Sequence, residues 1–320
     1  YTNTESSAAS DVYKRQDVDR ARTETPGCER RIHLNNAGAS LMPSPVIDTV
    51  KNHLDLESEM GGYEAGHHVA ERHAGVYASI SKLIGADPAE IGLFENATTA
   101  WDHAFLGTVM GLGLGEGDTV LTTVAEYCSN HTGLIQLSRR FGYSVEVVPD
   151  DETGQVSLQA LQARLSKGDV RLMSLVHMPT NGGLINPAES VGALTKAAGV
   201  PLFLDAAQSA GQVPIDVEEI GCDLLTAPGR KALRGPRGTG FLYVRRSFLE
   251  NVEPMLANMR AIHPTGPAEF EPVMEGAAQL ETWEGAVALQ LGLGAAVDYA
   301  LDIGIDAIGA RMAELAEGLR

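Results

Sequence analysis

Short apolar runs alternate with amphipathic stretches along most of this chain after residue 90. Stretches such as 158–165 and 188–198 have the apolar spacing of helices. Strands that alternate with helices are typical of an α/β fold with a mostly parallel sheet covered by helices on both faces. We therefore predict that architecture, with strands at 91–94, 119–122, 144–148, 172–176, 202–204, 224–225 and 240–244.

The N-terminal part of the chain indicates two helices behind a polar segment. Pro43 and Pro45 predict the start of a helix that runs towards Glu59, and a second helix is expected over 72–84. Residues 1–30 are polar and have no hydrophobic period, so we expect a disordered or foreign leader there.

The C-terminal part sets the expected domain boundaries. The amphipathic run 284–320 is interrupted by glycines and reaches Arg320 without a helix-stop signal. We expect a large domain over 31–297, opened by an extended segment at 32–34, and the start of a truncated small domain over 298–320. The length of 320 residues and the hydrophobic fraction of 44% allow a core of that size.

Charge and hydropathy argue against two classes of partner. The formal net charge is −18 and the basic residues are not clustered, so a surface for nucleic-acid backbones is not expected. No apolar run approaches the roughly 18 to 20 residues that cross a bilayer, so we expect no contact with membranes. These features predict a cytoplasmic protein.

Cysteines and histidines give little support for a disulfide framework or a metal site. No CxxC pair occurs, and a structural role is the simpler interpretation for the three cysteines, Cys28, Cys128 and Cys222. Histidines within 67–73 lie on one expected helix without further ligands nearby, so solvated or capping histidines are the simpler interpretation. We predict no metal.

Two residues near the expected centre of the sheet suggest a specific chemistry. Asp205 follows the apolar run 202–204, and Lys231 lies later in a loop between Gly229 and Gly235. A carboxylate and an amine at neighbouring strand ends can hold pyridoxal phosphate, because the acid keeps the pyridine nitrogen protonated and the amine bonds to the aldehyde as a Schiff base. Taken singly, Asp205 could be a helix cap and Lys231 a surface lysine.

Other loops that follow strands carry residues suited to the same ligand. The segment 96–99 combines hydroxyls with an expected helix N-terminus, where anions bind, although simple capping is the simpler interpretation of this segment taken alone. The ring of Tyr127 could stack on a planar ligand or pack in the core. Asn181 could donate to a phenolic oxygen or belong to an Asn-Gly turn. Gln208 follows Asp205 closely. Together these loops predict one pocket at the carboxyl edge of the sheet.

These motifs resemble the class V family of pyridoxal-phosphate enzymes. That family includes cysteine desulfurases, isopenicillin N epimerase-like proteins and ergothioneine-pathway sulfoxide lyases. The similarity extends from about residue 32 to residue 300 and is carried by Leu34-Asn-Asn-Ala-Gly38, Asn96-Ala-Thr-Thr99, Glu126-Tyr127, Asn181, Asp205-Ala-Ala-Gln208, Arg230-Lys231 and Gly235-Pro-Arg-Gly-Thr-Gly240. It implies the large domain of a fold type I pyridoxal-phosphate-dependent transferase.

The resemblance also implies a role for each matching residue. Lys231 would form the Schiff base and then move the proton, Asp205 would pair with the pyridine nitrogen, and Tyr127 would stack on the ring. The remaining cofactor contacts would come from Gln208 and Asn181 at the phenolic oxygen and from Thr98, Thr99 and Arg230 at the phosphate.

Substrate and dimer contacts are implied in the same way. Asn36 and Ala37 would line the substrate side. Thr282 matches the position that reaches into the neighbouring subunit's phosphate site, which implies a homodimer.

The chain departs from the desulfurase pattern in several places. Tyr127 stands where desulfurases have histidine, Pro228 replaces a frequent hydroxyl, and Ala232 replaces a frequent aromatic residue. The spacing from Lys231 to Gly235-Pro236 is one residue longer than in typical desulfurases and resembles that of the epimerase and sulfoxide-lyase branch. We expect the arginine for the substrate carboxylate and the persulfide cysteine to belong to a C-terminal region outside this sequence.

The predicted function is Cα deprotonation of an amino acid bound to pyridoxal phosphate, as in a carbon–sulfur lyase or desulfurase. An aminotransferase, an epimerase and a cofactor-binding fragment without turnover stay open as alternatives. A nucleotide-binding α/β protein is disfavoured, because the chain has no GxxxxGK[ST] loop and its glycine cluster at 111–115 follows a helix instead of a strand.

Overall fold

Seven strands form the central sheet of the structure, a computed structural model that describes residues 18–272 and 276–319. The strands are β1 Ile91–Phe94, β2 Thr119–Thr123, β3 Ser144–Val148, β4 Val170–Val176, β5 Leu202–Asp205, β6 Leu224–Pro228 and β7 Gly240–Val244. Their order in the sheet is β1-β7-β6-β5-β4-β2-β3. Strand β7 runs antiparallel to both of its neighbours, and the other adjacent strands are parallel. The predicted mostly parallel sheet is confirmed.

Helices lie between most of these strands. They are α1 Ser44–Met60, α2 Gly62–His68, α3 Ala70–Ile84, α4 Ala97–Gly111, α5 Cys128–Phe141, α6 Leu158–Leu165, α7 Ala188–Ala197, α8 Val217–Ile220, α9 Val287–Ile303 and α10 Ile305–Leu319. A separate hairpin is formed by β8 Ile262–Gly266 and β9 Glu269–Pro272. The helix α1 ends at Gly61, whose φ of 95° is left-handed and favours glycine.

Apolar cores lie on both faces of the sheet. One core includes Ile80 of α3, Leu204 of β5 and Val297 of α9. The other includes Trp101 of α4, whose ring stacks on Phe203 of β5 at a centroid distance of 5.7 Å. Because alternate residues of a strand face opposite sides of the sheet, Leu204 packs in one core and Phe203 packs in the other. This confirms the predicted helical cover on both faces.

The segment expected to be a leader is partly folded. Residues 1–17 lie outside the described residues, but Thr25 is buried and its hydroxyl accepts a hydrogen bond from Arg234. The Tyr299 hydroxyl donates to Glu24 over 2.7 Å, and Arg20 forms an ion pair with Asp302 at 2.8 Å. Residues 18–30 thus contact the folded part of the chain, and the expected boundary at residue 30 stays a prediction. These contacts are polar, so the sequence shows no hydrophobic period there.

The extended segment and the C-terminal boundary expected for the large domain both differ from the elements in the structure. The segment 32–34 belongs to no strand, and Ile32 and Leu34 are each 89% exposed. The expected boundary between residues 297 and 298 lies inside α9, which packs against α1 and α3. The division into a large and a small domain stays a prediction.

Candidate functional site

Asp205 ends β5 and is almost completely buried. It pairs with Val176 of β4 and Thr226 of β6 in the sheet, and it is 5% exposed. Its carboxylate accepts hydrogen bonds from the Ala207 backbone N–H over 2.8 Å and from Asn130 Nδ2 over 2.7 Å. Burial raises the pKa of the Asp205 carboxyl, and both hydrogen bonds oppose that rise. A cation beside the Asp205 carboxyl group would therefore favour its charged form.

Lys231 lies in the turn that follows β6 and is 8% exposed. Burial lowers the pKa of its ammonium group, the charge of Arg230 acts in the same direction, and Asp205 opposes both. A lowered pKa leaves more of the amine neutral, which is the form that attacks a carbonyl carbon. Lys231 is therefore suited to bond to an aldehyde.

Close backbone contacts shape the turn around Lys231. Gly235 N–H donates to Gly229 over 2.7 Å, and Gly229 N–H donates to Thr239 over 3.0 Å. A Cβ on Gly229 would lie 2.3 Å from Thr239 Oγ1 and 2.7 Å from Leu293 Cδ1. Only glycine fits there without displacement of its neighbours.

Replacement of Gly229 by alanine should lower the free energy of unfolding by about 1–3 kcal/mol, because the added methyl group overpacks the turn. The matched control is Gly75→Ala in α3, where a Cβ meets nothing within 4 Å. That change should stabilise the protein by roughly 0.5–1 kcal/mol through helix propensity. Urea unfolding of both variants measures the two effects, and equal values would contradict the close contact at Gly229.

Arg234 attaches the turn to the N-terminal segment and to α9. It has a left-handed φ of 64°, which is uncommon for a residue with a side chain. Its guanidinium donates to the Leu41 carbonyl over 3.0 Å and to Thr25, and it lies over the Tyr299 ring at 5.6 Å from the centroid. The residues 18–30 thereby support the loop that carries Lys231.

Asp205 and Lys231 line the same cavity, as the sequence predicts. Its volume of about 380 Å³ lies within the range of roughly 300–1,000 Å³ that is typical of small-molecule sites. The lining residues are Glu95, Asn96, Ala97, Thr98, Tyr127, Asn130, Val176, Met178, Thr180, Asp205, Ala207, Gln208, Pro228, Arg230, Lys231, Arg237, Gly238 and Thr239.

One end of the cavity is suited to an anion. Ala97 and Thr98 open α4 there, and the first N–H groups of a helix have no partner within the helix. Arg230 lines the same cavity, although the net charge of the whole chain is −18. A Cβ on Gly240 would lie 2.6 Å from the Asn96 carbonyl carbon, so β7 approaches this helix end closely. Thr99 does not line the cavity, and its N–H donates to the Asn96 side chain over 2.9 Å.

Tyr127 and Gln208 also line the cavity. Tyr127 directly precedes α5 as its N-cap residue. Gln208 is 5% exposed and donates from Nε2 to the Ala37 carbonyl over 3.1 Å, which brings Ala37 next to the site. Asn36 is exposed and its amide is 3.4 Å from the His33 carbonyl.

The loop after β4 presents Thr180 to the cavity instead of Asn181. Asn181 is exposed and does not line the cavity. The chain turns directly after it at Gly182 and Gly183, whose φ angles are 90° and 63°. The turn interpretation of Asn-Gly therefore describes this loop, and the contact of Asn181 with the cofactor stays a prediction.

Thr282 lies at the rim of this chain's own cavity. Its exposed hydroxyl donates to the Glu284 carbonyl over 3.2 Å and to Glu95 over 3.4 Å, and Glu95 lines the cavity. Its contact with a neighbouring subunit stays a prediction.

Sequence reasoning missed several residues of the site. Arg237 and Thr239 line the cavity from the Gly-rich segment after Lys231. Asn130 also lines it and contacts Asp205 directly. A signal for Asn130 was the spacing of four residues from Glu126, which brings two side chains together on a helix, but no helix was predicted there.

Residues 32–320 match the aminotransferase class-V family. The chain belongs to this family. It is 30% identical over 283 residues to a probable cysteine desulfurase of Synechocystis sp., with 87% of this chain and 66% of the relative covered. It is 29% identical to a cysteine desulfurase of Synechococcus elongatus, with 93% of this chain and 49% of that protein covered. The chain thus spans about half to two thirds of these relatives.

Solved structures show the same fold. An apo cysteine desulfurase from Thermococcus onnurineus NA1 has a TM-score of 0.85 at 24% identity, over 93% of this chain and 74% of that one. The cystine C–S lyase C-DES, in complex with cysteine persulfide, has a TM-score of 0.80 at 24% identity, over 88% of this chain and 74% of that one. The predicted fold type I architecture is confirmed.

The class V assignment also confirms the predicted cofactor, pyridoxal phosphate. The residues fit that cofactor, because an acid, an amine and an anion-binding helix end share one cavity. Among the residues that the structure describes, no group of three or more His, Cys, Asp and Glu side chains could hold a metal ion. No helix in that part of the chain is both long and apolar enough to cross a membrane.

Proposed function

We propose that the protein is a carbon–sulfur lyase that acts on a sulfur-containing amino acid with pyridoxal phosphate. The observation that carries the proposal is the shared cavity of Asp205 and Lys231 beside the N-terminus of α4. Relatives named cysteine desulfurases support the substrate class. When bound, the cofactor supplies an electron sink for the charge left on the substrate Cα.

The residues of this chain would divide the remaining tasks. Lys231 Nζ would bond to the cofactor aldehyde and later carry the Cα proton, for which its lowered pKa is suited. Asp205 would face the pyridine nitrogen, and Tyr127 would cover the ring. Thr98 and Arg230 would hold the phosphate.

The three cysteines of this chain lie outside the cavity. Cys222 is buried in the core, and burial raises the pKa of its thiol, so it is a poor nucleophile. Cys28 and Cys128 are exposed outside the cavity.

Product analysis tests the reaction. Protein loaded with pyridoxal phosphate would be incubated with cysteine, cystine, cysteine conjugates and their sulfoxides, with and without keto-acid acceptors. A lyase should release pyruvate and ammonia without an acceptor. Amino transfer to the keto acid or loss of chirality without pyruvate would instead identify an aminotransferase or an epimerase. Stable cofactor binding without any product would indicate a fragment that lacks turnover.

A homodimer is the proposed assembly. Exposed apolar side chains lie on the segments beside Thr282: Leu256 is 84% exposed, Met259 59% and Trp283 49%. These segments are joined, because Asn258 Nδ2 donates to the Glu281 carbonyl over 3.0 Å. Such a patch is typical of a protein interface. If a second copy binds at this patch, we expect Thr282 of that copy to lie near the cavity rim of the first. The cytoplasm stays the expected location.

Replacement of Leu256 by aspartate should convert the proposed dimer into a monomer, because a charge would be buried at the interface. Light scattering after size-exclusion chromatography measures the mass. The control Leu319→Asp, on a side chain that is 89% exposed in α10, should leave the mass unchanged. A dimeric Leu256→Asp protein would rule out this surface, and a monomeric parent protein would rule out the homodimer.

A further inference from the structure

A buried polar chain of contacts lies behind Asp205. Thr122 of β2 and Ser174 of β4 donate their hydroxyls to Glu126 Oε2 over 2.8 Å and 2.9 Å. Glu126 Oε1 accepts Asn130 Nδ2 over 3.1 Å, and the same nitrogen donates to Asp205 Oδ2 over 2.7 Å. The contacts thus cross three adjacent strands and end at the carboxylate that faces the cavity.

Glu126 is arranged as an acceptor. Its Oε1 receives two N–H groups, from Tyr127 over 2.8 Å and from Asn130. Neither nitrogen can accept a hydrogen bond, so this oxygen cannot carry a proton towards them. Burial raises the pKa of the Glu126 carboxyl, and its hydrogen bonds with Thr122, Ser174 and Tyr127 act against that rise.

Asn130 is the only residue of this chain of contacts that joins both carboxylates. It is 2% exposed, and its amide NH₂ group has two hydrogens, one for each acid. The amide cannot be reversed, because its carbonyl oxygen would then face Glu126 and Asp205 at hydrogen-bond distance. Glu126 therefore determines the orientation in which Asn130 meets Asp205.

We propose that Asn130, oriented by Glu126, is a positioning residue that holds the Asp205 carboxylate ionised and directed at the pyridine nitrogen. This inference rests on the proposed function, since it requires Asp205 to bind the cofactor. If Asn130 acts in this way, its effect on cofactor binding depends on the presence of Asp205. A residue that only stabilises α5 would have no such dependence.

A double-mutant cycle separates these two roles. The measured quantity is the Kd for pyridoxamine phosphate, which has no aldehyde and cannot bond to Lys231. Asn130→Leu should raise this Kd about 10- to 100-fold, the loss of one hydrogen bond to a charged group. In the Asp205→Ala background the same change should raise it less than about threefold, because the carboxylate that Asn130 positions is gone.

Two further variants keep the test decisive if Asn130→Leu does not fold. Asn130→Asp has the same shape but turns both contacts into repulsion between acids, and we expect a loss at least as large. Gln136→Leu removes an exposed amide from the same helix and should leave the Kd unchanged. Thermal melting without ligand verifies that each variant is folded.

The outcomes distinguish the inference from the proposed function. Equal effects of Asn130→Leu in both backgrounds, or no effect of Asn130→Asp, would overturn the positioning role. Failure of the parent protein to bond to pyridoxal phosphate at Lys231 would instead overturn the proposed function. Labelling of the parent protein at Lys231, together with a smaller effect of Asn130→Leu in the Asp205→Ala background, supports both the inference and the proposed function.

Discussion

Replacement of Lys231 by alanine should abolish the covalent attachment of pyridoxal phosphate. Lys231 is the amine that lines the cavity together with Asp205, and without it the aldehyde has no partner there. Borohydride reduction followed by peptide mass spectrometry should find the added mass on the Lys231 peptide of the parent protein and on no peptide of the variant. Turnover should fall by at least about 10³-fold, because the same amine is the proposed carrier of the Cα proton.

The variant should stay folded, because Asp205 keeps its hydrogen bonds from Asn130 and Ala207. We expect a change of less than about 1 kcal/mol in the free energy of unfolding. Lys196→Ala, an exposed lysine of α7, is the matched control and should label like the parent. Labelling of the Lys231→Ala protein at another lysine would show that the cofactor binds elsewhere.

Replacement of Asp205 by alanine should weaken non-covalent cofactor binding without preventing the bond to Lys231. Loss of one partner from a buried charge pair typically costs about 2–5 kcal/mol, so the Kd for pyridoxamine phosphate should rise at least about 30-fold. High concentrations of pyridoxal phosphate should still label Lys231 in this variant. A Kd equal to that of the parent would place the pyridine nitrogen away from Asp205.

The same variant tests a dependence on pH. Burial raises the pKa of Asp205 above its usual value near 3.8. In the proposed function the cofactor pairs with the ionised carboxylate, so binding should be full above this raised pKa and should decline as the pH falls through it. The cofactor phosphate also titrates in this range, but it affects the parent and the variant alike and cancels in their ratio. The difference between parent and Asp205→Ala should therefore shrink at low pH, and a constant ratio across the titration would contradict this assignment.

Local patterns in the sequence determined the architecture and the centre of the site. Alternating apolar runs correctly indicate β1, β3 and β7 to the residue, because side-chain periodicity is a local property. Asp205 and Lys231 line one cavity because the ends of adjacent strands lie at one edge of a sheet. That topological rule needs no knowledge of side-chain packing.

The sequence underestimated the extent of some strands. Strand β5 includes Asp205 and β6 reaches Pro228, since both residues pair with neighbouring strands despite their unfavourable strand propensity. Residues 18–30 are held by Arg234 and Tyr299, and such polar contacts leave no hydrophobic period.

Which polar side chains reach the cavity depends on tertiary contacts that the sequence pattern does not contain. The loop that turns at two left-handed glycines leaves both residues exposed, but Thr180 lines the cavity and Asn181 does not. Asn130 meets Asp205 across 75 positions of sequence, a distance over which no periodicity extends. Periodicity records which face of an element is apolar, whereas contacts between polar groups depend on loop geometry and on how α5 packs over the sheet.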